Sequence, residues 1–91
     1  MKAIINKDAG DTNEVNGLIY LANQQSQFDS TIYYIQKGLT LARKIKYKKG
    51  EADCFIVRGR ALYTKDISET IQDALSALNI YKEIKIGRAH V

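Results

Sequence analysis

Few side chains in this 91-residue chain could do chemistry, and their spacing gathers none of them into a constellation. His90 is the only histidine and Cys54 the only cysteine. A Cys/His nucleophile pair or a histidine-based metal site needs further partners, and neither residue has them in its neighbourhood of the sequence. A lone cysteine cannot close an internal disulfide, so no redox compartment is implied, and Cys54 beside Phe55 reads as a small hydrophobe near a helix interface. Gly10, Gly17, Gly38, Gly50, Gly59 and Gly87 are scattered rather than gathered into a loop whose amides could cradle a phosphate. Glu51 with Asp53, and Asp66 with Glu69, fall where helices start and suit capping and the helix dipole. The expectation is therefore a protein that is not an enzyme, with no metal and no cofactor. One stretch keeps a chemical character: Lys37, Arg43, Lys44, Lys46, Lys48 and Lys49 concentrate the basic excess of a chain whose formal net charge is +4. Such a run could meet phosphates or an acidic partner. Equally, basic groups at a helix end complement its unpaired carbonyls.

The elements that must position these residues are helices, and one of them is written twice. Ser30 to Gly50, STIYYIQKGLTLARKIKYKKG, is followed thirty-nine residues on by ETIQDALSALNIYKEIK. At that offset Thr31 pairs with Thr70, Ile32 with Ile71, Gly38 with Ala77, Leu39 with Leu78, Leu41 with Ile80, Ile45 with Ile84 and Lys46 with Lys85. A fixed period of this size marks a repeat architecture. Within the copies, Ile32, Ile35, Leu39, Ala42 and Ile45, and then Ile71, Ala74, Leu78 and Tyr81, recur at steps of three and four, giving each helix one apolar stripe. Gly38 and Ala77 sit in those stripes, where a neighbouring helix could approach closely. Absence of Pro favours long helices over a sandwich or barrel.

In chain order, residues 1–10 read as a flexible N-terminal segment, with Asp11 or Thr12 as the first cap. Helices are expected over roughly 13–25, 30–46, 51–63 and 68–85, with Phe28 preceding a cap at Asp29 or Ser30, Gly50 as a turn residue and Ser68 as the last cap. Short connections between amphipathic helices make consecutive helices antiparallel. The fold class expected is all-α: two helical hairpins, roughly 11–49 and 50–85, stacked side by side. Leu18, Leu21, Ile32, Ile35, Leu39, Phe55, Leu62, Ile71 and Leu78 are expected between them. No run of 18 apolar residues could span a membrane and Met1 to Gly17 assembles no apolar leader, so the expected location is cytoplasmic, with a periplasmic sensory location in an intact protein left open.

TIYYIQKGLTLARKIKYKKGEAD and LYTKDISETIQDALSALNIYKEI resemble tetratricopeptide repeats, in the longer variant of about 40 residues found in bacterial signalling proteins such as sensor histidine kinases and transcriptional regulators. The resemblance covers residues 11–85 and implies a right-handed α-solenoid fragment. Leu18, Leu21 and Ala22, and then Phe55, Gly59 and Leu62, match the family's packing positions. Thr31 and Thr70 stand where the family prefers Ala, and Arg58 where it is usually apolar. The resemblance further implies a concave groove lined by first helices, which here would present Asn16, Ile19, Asn23, Asp53, Ile56, Arg60 and Tyr63. An Asn beside an Arg suits a peptide carboxylate or backbone; the same residues could equally be a solvated face. The implied function is a protein interaction module, part of a larger signalling protein, receiving a peptide or partner segment. The alternative is a nucleic-acid-associated regulator using the basic stretch 37–49.

The last six residues differ in composition. IGRAHV, residues 86–91, resembles what one frame of a widely used sequencing adapter encodes, which implies a non-native tail that makes no packing contact and a natural gene that continues beyond Lys85. Repeat arrays need about three repeats and a polar cap, so with no helix following the fourth, part of its apolar face (Ile71, Leu75, Leu78, Ile80) is expected to stay exposed.

Overall fold

The structure is a computed structural model describing residues 11–90, with side chains through Lys85. Among the described residues it is all-helical with no strand: α1 Thr12–Gln24, α2 Phe28–Lys44, α3 Lys48–Leu62 and α4 Ile67–His90. The 1–10 segment and the packing expected of residues 86–91 lie outside the described residues. The α4 backbone passes Lys85 without a break, because one glycine, Gly87, costs a helix only about 1 kcal/mol.

Two helices start on the same device. Asp11 Oδ1 accepts the Glu14 amide at 3.0 Å, and Asp66 Oδ1 accepts that of Glu69 at 3.1 Å. Each aspartate satisfies an amide that the first helical turn leaves without a partner. The fourth helix is thus capped by Asp66 rather than Ser68, and it begins one residue earlier than the spacing suggested. At α2 the N-cap position is Gln27, with no side-chain cap bond.

The turn between α2 and α3 also departs from expectation. Its left-handed residue is Lys46, at φ 59°. Around it the Tyr47 amide donates to the Ala42 carbonyl at 2.8 Å and the Lys46 amide to Arg43 at 3.2 Å, the bond pair of a Schellman ending. Gly50, the expected turn residue, lies inside α3 and is buried. A Cβ there would come within 2.8 Å of Val15 Cγ1. The glycine serves close approach of α1, and the turn is closed by a lysine in its place.

Consecutive helices run antiparallel. Gly59 lies against Thr70, Arg58 against Asp73 and Asp53 against Tyr81, so residue numbers along α4 fall as those along α3 rise. Gly38 with Cys54 and Arg43 with Glu51 show the same order between α2 and α3. α1 also touches α3, whereas α4 packs on α3 alone among the described elements. The core is Val15, Ala22, Ile35, Leu39, Ala42, Ala52, Cys54, Phe55, Val57, Ala77 and Ile80.

Ile35, Leu39 and Phe55 are buried as expected and Leu18, Ile32 and Leu62 partly so, but Leu21, Ile71 and Leu78 are exposed. α4 faces α3 with Thr70, Asp73, Ala77, Ile80 and Ile84, at steps of three and four. That choice rotates the more apolar neighbouring stripe outward, leaving Ile67, Ile71, Leu75 and Leu78 between 52% and 55% exposed. Part of the α4 face is open, as expected, although Ile80 belongs to the core.

Candidate functional site

Two side-chain bridges tie α1 to α3. Arg60 Nη2 donates to Asn23 Oδ1 at 2.6 Å, and the Tyr47 hydroxyl donates to Asn16 Oδ1 at 3.2 Å. Asn16 and Asn23 are two helical turns apart, so they share a face of α1. On α3, Arg60 is exposed at its C-terminal end while Tyr47 precedes its first turn. The Asn and Arg of the expected groove therefore meet directly.

The other expected residues divide by what already holds them. Ile56, Arg60 and Tyr63 line a shallow cleft of about 180 Å³ together with Phe55, Gly59, Thr70 and Ala74, where α3 and α4 meet. Arg60 and Asn23 also line an adjacent cleft with Ala22, Thr31, Val57 and Ala61. Asp53 is occupied internally, since its carboxylate accepts from Lys49 Nζ at 2.9 Å and from the Tyr81 hydroxyl. Ile19 packs half-buried against the core. Asn23, Ile56, Arg60 and Tyr63 are thus the part of the set that presents a surface, and Asn16 and Asp53 brace helices.

The braces were not visible in the sequence. Tyr81 occupies the repeat position of Ala42, a core residue, and nothing in its spacing points to an aspartate twenty-eight residues earlier. Burial pushes its phenol up to about 12, helped by the hydrogen bond to Asp53. Burial likewise pushes the Cys54 thiol up to about 12. A thiol held protonated at neutral pH and walled in by core residues is a poor nucleophile, which agrees with its reading as a small hydrophobe.

Arg58, an oddity in the sequence, has a partner. Its Nε and Nη2 donate to the two Asp73 carboxylate oxygens at 2.9 and 2.8 Å, and Asp73 is only 2% exposed. The guanidinium also lies 5.3 Å from the centre of the Phe55 ring, with Arg43 at 5.7 Å from that same ring. A bidentate ion pair satisfies the buried carboxylate fully.

In the basic stretch, charge is partly neutralised within the fold. Arg43 and Lys48 lie 3.2 and 3.7 Å from Glu51, and Lys49 lies 2.9 Å from Asp53. No helix among the described residues is long and apolar enough to cross a membrane.

The two threonines of the repeat face equivalent carbonyls but differ in their nearest acceptor. Thr70 Oγ1 donates to the Gly59 carbonyl of the earlier helix at 2.9 Å, whereas Thr31 Oγ1 lies 3.4 Å from the Ala22 carbonyl of the earlier helix and 3.0 Å from the Gln27 carbonyl before its own. No family model, curated protein or solved structure matches this chain.

Proposed function

We propose that this chain is a tetratricopeptide-like interaction module, two stacked helical hairpins that receive an extended peptide or partner segment across the α1 and α3 face. The observation that carries the reading is the Asn23 to Arg60 bond, which joins the two first helices at the position where a groove would bind backbone or carboxylate. Asn23 uses one guanidinium nitrogen, and the remaining donors of an exposed arginine stay available to a ligand. Ile56 and Tyr63, both exposed beside it, supply apolar contact for alternate peptide side chains. The matched places of Thr31 and Thr70, each facing a carbonyl of the preceding helix, support the repeat on which this reading depends. Membership of a larger signalling protein belongs to the same proposal. A nucleic-acid role for residues 37–49 has less support, since Arg43, Lys48 and Lys49 are already ion-paired.

The test is binding of a fluorescent library of short peptides with free C-terminal carboxylates, alongside duplex DNA. Peptide binding that Arg60→Ala weakens about tenfold, consistent with loss of a charge-assisted bond of 1.5 to 3 kcal/mol, supports the proposal. DNA binding with a steep salt dependence and no peptide binding would move the function to the basic stretch.

A further inference from the structure

The exposed stripe on α4 has an internal counterpart that shows what such a stripe packs against. Thirty-nine residues earlier, Ile32, Ile35, Leu39 and Ala42 of α2 are buried or partly buried, whereas Ile71, Ala74, Leu78 and Tyr81 of α4 are exposed. α3 packs beside this stripe: a Cβ on Gly38 would lie 3.3 Å from Cys54 Sγ of α3, as well as 3.5 Å from Leu18 of α1, and Arg43 pairs with Glu51 of α3 at 3.2 Å. α1 stands to α3 as α2 stands to α4, with the Ala22 and Gly59 carbonyls, thirty-seven residues apart, facing the hydroxyls of the two equivalent threonines at 3.4 and 2.9 Å.

Carrying α3's contacts back by thirty-seven residues names a face of α1. Cys54 becomes Gly17 and Glu51 becomes Glu14. Gly17 is exposed, and a Cβ there would meet no described atom within 4 Å. A mid-helix glycine costs about 1 kcal/mol against alanine, and nothing among the described residues accounts for it. The charges transfer as well, since Arg43 becomes Lys82 on α4 while Glu51 becomes Glu14 on α1. Beside Glu14 a broad groove of about 580 Å³ is lined by Leu18, Tyr33 and Leu41 and edged by Lys37 and Lys44. In the second helix pair, the equivalent of Leu18 is Phe55, over which Arg43 of the preceding helix lies.

We propose that the α4 stripe of one copy docks on the α1 face of a second copy, head to tail, repeating the α2 to α3 contact between molecules. Leu78 and Ile71 lie along α1 past Gly17, and Lys82 meets Glu14. Each copy keeps one free face of each kind, so the contact does not close and assembly grows open-ended with concentration. The inference rests on the repeat equivalence and is independent of peptide binding.

Sedimentation velocity across a wide concentration range tests it with three proteins. The unaltered chain gives a mean mass that rises steadily with concentration. Leu78→Lys, at a position 53% exposed, stays monomeric at every concentration with its helical circular dichroism unchanged. Gly17→Arg also stays monomeric, yet melts higher than the unaltered monomer because arginine is the better helix former. Mixed in equal amounts, the two variants form a one-to-one dimer, as one retains the α1 face and the other the α4 face. A chain monomeric at all concentrations overturns the proposal. So does Gly17→Arg associating as strongly as the unaltered chain while Leu78→Lys does not, which would mean that α4 pairs with α4.

Discussion

The two helix pairs of this molecule use the same residues for different ends. Both turn a threonine hydroxyl toward the preceding helix's carbonyl, at Ala22 and at Gly59, although Thr31 lies nearer the Gln27 carbonyl. Then they diverge. Where the second pair places Arg58 and Asp73 as a buried ion pair, the first has Leu21 and Tyr34. Where the α2 stripe is roofed by α3, the equivalent α4 stripe faces outward. A side chain's burial here is decided by how many helices surround its element, and its identity matters less.

The ion pair offers the largest way to break that comparison. Asp73→Ala leaves the Arg58 guanidinium without a partner and should cost about 3 kcal/mol, the low end for a broken buried pair because Arg58 still reaches solvent. Installing the first pair's residues instead, Arg58→Leu with Asp73→Tyr, should recover most of that loss. Urea midpoints of the two variants check both claims, and a double variant as weak as the single one would show that the pairs are not interchangeable.

Next comes the repeated leucine. Leu39→Ala, at a site 3% exposed, should cost about 2 to 5 kcal/mol. Leu78→Ala, at the matching site 53% exposed, should cost under about 1 kcal/mol in dilute solution. Equal losses in thermal or urea denaturation would mean that the α4 stripe is covered.

Alkaline pH separates the pairs again, since the thiol and the phenol with raised pKa values, Cys54 and Tyr81, both belong to the second, as do Lys49 and Arg58, raised by their hydrogen bonds to Asp53 and Asp73. Cys54 and Tyr81 each stay protonated up to about 12 in the fold, against ordinary values of 9.0 and 10.0. Above those ordinary values the unfolded chain releases its protons first, so stability is intact below pH 9.0 and declines as pH climbs toward about 12. Replacing Cys54 with Ala should move the start of that decline up toward 10, where Tyr81 begins to contribute. Urea midpoints measured at successive pH values would show it.

The smallest effect lies at the junction between the pairs. Lys46→Gly relieves a left-handed residue that costs a side-chain-bearing position about 1 to 2 kcal/mol, offset by glycine's larger entropy loss, for a net gain of about 0.5 kcal/mol. Differential scanning calorimetry should register a slightly higher melting temperature.

The helical class, the element order and the approximate helix spans were legible because apolar residues at steps of three and four report directly on helix period. Asp11 was legible as a cap for a similar reason, since capping is local chemistry. The meeting of Asn23 and Arg60 followed from their matching places in successive first helices, although only the folded chain put them 2.6 Å apart. Tertiary structure alone decided which α4 stripe turns inward. Ile67, Ile71, Leu75 and Leu78 form the more apolar stripe, yet the contact with α3 uses Thr70, Asp73, Ala77 and Ile80. Small residues there allow close approach, the Thr70 hydroxyl finds the Gly59 carbonyl, and Asp73 finds Arg58. Those are long-range polar partnerships, and hydrophobic periodicity carries no record of them. The same limit explains Gly50, whose crowding by Val15 comes from a helix thirty-five residues away, and Asp53, claimed by Tyr81 before any ligand could use it. Periodicity reports that a helix has an inside; the neighbours that fold against it determine which side that is.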